Sequence, residues 1–366
     1  MSEPKEEKRS PSASGKKTSQ RTSQRASASS AKAKTTSAKQ SASAKQSASA
    51  KQSANQASGK KSTANKAKPS PAVALGDYAH SVIREHYQAM VKCEKGVLAD
   101  TDPELLHQMR VSSRRLYTAL SVFEGAIAMP KVATARRVRS LTKALGNLRD
   151  LDVQLQALKE DYLPKLDGDE KAQLSGAIAK LERQRRKVKA KAEDTLSQNR
   201  YKNLKLSYEA WIADPRLTPL GTFSIQTVLP DLLGPLLSQS LLHPGWLIAA
   251  DGVTTRNVEM LHDLRKACKI TRYQSDFLTP FYGKEFKDWV KGLRSLQDAL
   301  GGLQDIQVLQ RILAKHNMTK ASAPQLHEAI REKEQALLAS WEQQRQPYLD
   351  TDYRYQLHRM LLSPTV

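Results

Sequence analysis

His107-Gln108-Met109-Arg110, followed by Arg114, recurs as His262-Asp263-Leu264-Arg265, followed by Lys269. Farther along, Leu141 and Leu145-Gly146-Asn147-Leu148-Arg149-Asp150-Leu151-Asp152-Val153 recur as Leu296 and Leu300-Gly301-Gly302-Leu303-Gln304-Asp305-Ile306-Gln307-Val308. Every matched pair lies 155 residues apart, with no net insertion between the two segments. Helix composition alone does not produce one shared offset, so the pattern points to an internal duplication. It repeats a His/Arg/Lys-bearing helix and an LG-L-D turn-or-helix element. A positively charged site built twice about a pseudo-two-fold axis follows, suited to an extended anion.

Outward from these segments the chain reads as helix after helix. Leu75 to Lys95 carries a helix-period stripe at Tyr78, Val82, Ile83, Tyr87, Met90 and Val91. Thr101-Asp102-Pro103-Glu104 is a helix start, with proline near the first turn beside an acid. The helix it opens should run through His107 to about Gly125. Val132 to Gln156 follows, interrupted or bent near Gly146. After a turn at Gly168, one long charged helix is expected from Glu170 to about Leu206, with the run Lys187-Val188-Lys189-Ala190-Lys191 on a solvated face. Pro215 to Gly221 separates two halves, about 75–214 and 222–366. Ile225 to Leu242 is apolar but broken by Pro230, Gly234 and Pro235. Helices are then expected at Asn257–Phe277, Gly283–Leu313, Gln325–Arg345 and Tyr353–Leu362. No alternation is long enough to need a strand. The expected fold is all-α: two helical bundles related by internal pseudo-two-fold symmetry, forming residues 75–366.

Residues 1–74 differ in kind. They carry 16 Lys plus Arg against three Glu, +13 of the formal net charge of +22. No acid occurs from Lys8 to Gly76, and SAKQSA repeats three times from Ser37 to Ala54. With almost nothing apolar to bury against the entropy of ordering, this segment is expected to be a disordered basic tail. The rest is mixed in sign, so a basic site there depends on charge placement and not on number. Cys93 and Cys268 have no metal-ligand spacing and suit buried free thiols in a reducing compartment. No apolar run is long enough to span a membrane, and the N-terminus lacks the apolar core of a secretory signal.

Positions i, i+3 and i+7 share a helix face. His107, Arg110 and Arg114 therefore align, as do His262, Arg265 and Lys269, with Arg115 and Arg272 widening the rows. Leu106, Met109, Leu116, Leu261 and Leu264 flank them with apolar surface. Arg139 recurs as Arg294, whereas Lys143 faces Asp298. A plainer reading is also open, in which Arg110 or Arg265 bonds Asp150 or Asp305 across the bundle. Phosphate chains fit the cationic reading: Arg offers forked donors, Lys mobile charge, and imidazole two donors once an anion favours its protonated form.

These residues resemble the CHAD family, the all-helical domain named for its histidines. The resemblance rests on His107-x-x-Arg110-Val111-x-x-Arg114-Arg115-Leu116, on Leu261-His262-x-Leu264-Arg265-Lys266-x-x-Lys269 leading to Arg272-Tyr273, and on both LG elements. It covers roughly residues 75–350. It implies two helical bundles with approximate internal symmetry and a basic channel or groove binding inorganic polyphosphate, with polyphosphate bodies as a location in some members. Carried over position by position, it implicates His107, Arg110, Arg114, Arg115, Arg139, Lys143, Arg149, His262, Arg265, Lys266, Lys269, Arg272 and Arg294. The chain departs from the family pattern at Ile270 (opposite Arg115), at Tyr117 (opposite Arg272) and at Gln304 (opposite Arg149), which leaves the two walls unevenly charged.

The Glu-x-Glu-x-Lys motif of a fused triphosphate-tunnel domain, a Walker A loop, His-Glu-x-x-His and Cys-x-x-Cys are all missing from the sequence. The expectation is therefore a non-enzymatic polyphosphate binder without cofactor, metal or catalytic residues, cytoplasmic and at polyphosphate granules. The competing readings are nonspecific nucleic-acid binding through the tail and a polyphosphate- or triphosphate-processing enzyme.

Overall fold

Pro103 opens the helix that carries the first basic row, and Asp102 caps it by accepting the Glu104 N–H at 2.8 Å. The computed structural model describes residues 73–365, which are all-helical, and the same kind of cap returns at the last helix, where Asp350 accepts the Tyr353 N–H. The helices are α1 (Leu75–Lys92), α2 (Glu94–Ala99), α3 (Pro103–Val122), α4 (Ala135–Ala157), α5 (Gly168–Ser197), α6 (Asn199–Ala213), α7 (Ile225–Leu241), α8 (Val258–Leu278), α9 (Lys284–Lys315), α10 (Pro324–Arg345) and α11 (Thr351–Leu361). Among the described residues there is no strand, only two isolated bridges. The expected basic arm lies outside the described residues except for Val73 and Ala74. These two belong to the folded body: Ile225 N–H donates to the Val73 carbonyl at 3.0 Å, and Ala74 bridges Ser224.

The first half packs α1 on α3, α3 on α4 and α4 on α5; the second packs α7 on α8, α8 on α9 and α9 on α10. α8 begins 155 residues after α3, the offset of the repeated motifs. The two basic helices, α3 and α8, also pack on each other. One large core runs through both halves and includes Met109, Leu116, Leu264, Trp246 and Trp341. A second core gathers Leu151, Leu155, Leu158, Ile178 and Leu181 with Ile306, Leu309, Leu313 and Ile330, so each half contributes to it. There Glu170 accepts the Gln325 and Leu326 N–H groups at 3.2 and 3.1 Å, satisfying two orphan donors at the start of α10.

Three helix expectations are corrected. α4 passes through Gly146 without a break, since Leu141, Leu145 and Leu148 keep one buried face in register on both sides. α7 is continuous through Pro230 and Pro235, each of which costs about 3 kcal/mol in a helix interior. Leu229, Leu233, Leu237 and Leu241, four residues apart and all buried, supply the burial that offsets that cost. The single helix expected from Glu170 to Leu206 is instead two, parted at Gln198, which is extended (φ −66°, ψ 149°). α5 spans both cores, with Leu174 and Leu181 in the second and Ala192 and Leu196 in the first, and α6 continues the first with Tyr201, Leu204, Tyr208 and Trp211. Both cysteines are free and buried, and no helix among the described residues is long and apolar enough to cross a membrane.

Candidate polyanion groove

The facing of α3 and α8 brings both basic rows together. A groove of about 690 Å³ is lined by Arg110 and Arg114 from α3, Arg139 and Lys143 from α4, and Lys266 and Lys269 from α8, with Asp150 its one acid. Arg110, Asp150 and Lys269 also line an adjoining recess of about 580 Å³, which adds Arg265, Asp305 and Lys333. The two spaces therefore form one trough across both halves. Beyond it, a third recess carries His262 and Arg311.

Arg114 and Lys269 are held by burial, whereas Arg139, Lys143 and Lys266 are exposed and Lys266 pairs with Asp263 at 2.6 Å. Arg110 reaches Asp150 at 3.3 Å, so the ion pair considered from the sequence forms in the first half. Among the described residues Arg265 makes no ion pair with Asp305. Arg114 and Arg272 lie on the Tyr273 ring, each 4.2 Å from its centroid. Buried Nε atoms of Arg110, Arg114, Arg149 and Arg265, and Nδ1 of His107 and His262, find no hydrogen-bond partner in the protein. Burial, with Arg114, Arg265 and Arg110 close by, pushes the Lys269 amine down to about 8. Burial also brings Arg114 down to about 10. His107 is lowered by burial and then by Arg149; His262 by burial and then by Lys266 and Arg265. Both imidazoles are thus biased towards the neutral form until an anion arrives.

The glycines of the LG elements have a spatial role. A Cβ on Gly146 would stand 3.3 Å from Arg110 Nε, and one on Gly301 would stand 3.4 Å from Arg265 Nε. Each arginine lies flat on the helix behind it, at matched positions in the two halves. Gly146→Ala and Gly301→Ala should therefore keep or raise stability, because alanine favours a helix interior by about 1 kcal/mol. At Gly146 the new methyl should also shift the Arg110 guanidinium by a few tenths of an ångström, whereas at Gly301 it meets Arg265 in ordinary contact. Calorimetric titration with a polyanion should show a loss of roughly threefold to tenfold for Gly146→Ala, consistent with one misplaced charge-assisted hydrogen bond, and a smaller one for Gly301→Ala.

Other residues singled out from the sequence lie elsewhere. Arg272 donates to Gln297 Oε1 at 3.0 Å and pairs with Asp276, and Arg115 approaches the same Asp276 at 3.7 Å. Arg294 is exposed, outside the lining of either space. His107 and Arg149 are half-buried and line neither space. Of the acids, Asp152 is held by Arg185. Among the described residues no group of three or more His, Cys, Asp and Glu could hold a metal ion. Sequence reasoning passed over Lys333, which comes from α10 outside both motifs and has Ile178 at the matching position. It also assigned no role to Tyr273, although its place beside Arg272 in the second motif was a usable signal.

No curated protein matches the chain. Among solved structures it is similar to the CHAD domain from the plant Ricinus communis, with a TM-score of 0.54 and 24% identity, covering 82% of this chain and 95% of that one. It is also similar to PptA from Streptomyces chartreusis, with a TM-score of 0.49 and 16% identity, covering 78% and 99%. The family model described as CHAD domain matches residues 81–314, the stretch that holds both basic helices and both LG elements, and the chain belongs to that family.

Proposed function

We propose that the protein binds inorganic polyphosphate, without turning it over, in the trough between α3, α4 and α8. The observation that carries this reading is the charge balance of the groove: six cations from three helices around one acid, Asp150. Like charges this close oppose one another, and after burial, the larger cause, Arg114, Arg265 and Arg110 lower Lys269 further. A linear polyanion relieves it along its length and releases its own condensed counterions in doing so. The CHAD family is associated with polyphosphate or triphosphate binding, which agrees with this ligand class.

Arg110, Arg114, Arg139, Lys143, Arg265, Lys266 and Lys269 make the direct contacts in this account. His107, His262 and Arg149 lie outside the lining of the trough, and Arg115, Arg272 and Arg294 shape the wider field. The direct contacts come from both halves, four from the first and three from the second, so an extended chain engages the two unequally. Of the nearby acids, Asp150 and Asp152 are occupied with Arg110 and Arg185, while Asp305 forms no ion pair among the described residues. Residence at polyphosphate granules follows if the ligand is the granule polymer.

The test is incubation of the protein with long-chain polyphosphate, with and without magnesium or manganese. Saturable binding with the polymer recovered at its original length is expected. Release of orthophosphate or shortened chains by pure protein would replace this reading with the processing enzyme.

A further inference from the structure

On the other flank of α4, against the junction of α5 and α6, lies a cavity of about 610 Å³ that the groove does not include. Arg137 from α4 and Arg200 from α6 line it together with Ser140, Gln198 and Asn203, and no acid does. Neither arginine side chain has a hydrogen bond or ion pair among the described residues. At about 100° per residue, α4 turns Arg139 and Lys143 to the groove and Arg137, Leu141 and Ala144 to this cavity. Between the two faces runs an exposed crest of Arg136, Arg139, Ser140, Lys143 and Asn147, with three cations and no acid. Cationic surface therefore continues from the groove, over one helix, into the cavity.

We propose that this cavity is a second anion subsite, and that a polyphosphate chain leaving the groove crosses the crest of α4 to fill it. The inference rests on the polyphosphate reading of the groove. It deepens that reading by making the protein a selector of long chains: a ligand must span the groove and then a helix about 10 Å across before it gains the outer contacts. Short phosphates engage the groove alone.

The full chain is titrated with tripolyphosphate and with long-chain polyphosphate over a salt series, as the parent, as Arg136→Ala and as Arg137→Ala/Arg200→Ala. Arg136 stands on the exposed crest outside the groove lining, so its removal does not threaten folding. For the double variant the long-chain affinity should fall roughly tenfold, with a shallower salt dependence. Arg136→Ala should show a smaller loss in the same direction. Tripolyphosphate affinity should stay unchanged in both. Long-chain affinity equal to the parent's in both variants overturns the outer subsite and leaves the groove standing. Equal losses for both ligands also overturn it, because they place these arginines within the groove's own field. A parent that binds neither ligand removes the groove reading, and the subsite with it.

Discussion

Replacing Arg110 and Arg265 together with alanine should lower polyphosphate affinity by about two to four orders of magnitude, from roughly 1.5–3 kcal/mol for each charged hydrogen bond. The fold should survive the change. Arg110's partner Asp150 is 60% exposed, so water replaces the lost guanidinium. Arg265 has no ion pair to break, and both side chains lie on the glycine faces of neighbouring helices and not in either apolar core. Each single variant should lose about an order of magnitude, because each removes one of the matched contacts. Titration at fixed ionic strength, with circular dichroism and thermal melts on the same samples, makes the check. A folded double variant that binds like the parent removes the trough from the account.

Raising the pH should weaken binding and stabilise the free protein over the same window. Lys269 lies near 8 in the free protein, lowered by burial and by Arg114, Arg265 and Arg110, with only Asp150 opposing them. An anion raises it, so binding takes up a proton once the pH passes about 8. Affinity should then decline by up to about tenfold per pH unit until the raised value is passed. The stability sign is opposite. The unfolded chain holds the Lys269 proton up to about 10.4, so the cost of a charged Lys269 is fully present below 8 and is lifted as pH rises towards that value. Calorimetry in buffers of different ionisation enthalpy reads the proton uptake directly. Lys269→Met should bind more weakly at pH 7 and lose most of the pH dependence. A Lys269→Met variant with the parent's pH profile would assign the effect to another group.

The helices that bear the site were legible because their signals are local. Asp102-Pro103-Glu104 fixes the start of α3, and the spacing of Leu106, Met109 and Leu116 fixes its buried face. The 155-residue offset then identified α8 as its partner. The continuity of α7 was not legible: two prolines argue for a break, and only the buried leucine stripe of the folded protein outweighs them. The break at Gln198 was equally hidden, since no Gly or Pro marks it and the buried residues on both sides, Leu196 and Tyr201, belong to one core. At the site, spacing aligned Arg110 with Arg114 and Arg265 with Lys269. It could not tell that Arg272 turns to Asp276 and Gln297. Nor could it assign the two glycines, whose role is the close approach of an arginine from another helix.

The most direct test of the central claim is binding of residues 73–366 and of the full chain to long-chain polyphosphate and to length-matched DNA, each at two salt concentrations. Residue 73 is the right start because its carbonyl accepts the Ile225 N–H. The account predicts tight, saturable polyphosphate binding that survives removal of residues 1–72, with DNA bound weakly by the helical body and lost at the higher salt. Weak binding of both polymers by residues 73–366, with strong binding only in the full chain, would contradict it and assign recognition to the basic N-terminal segment.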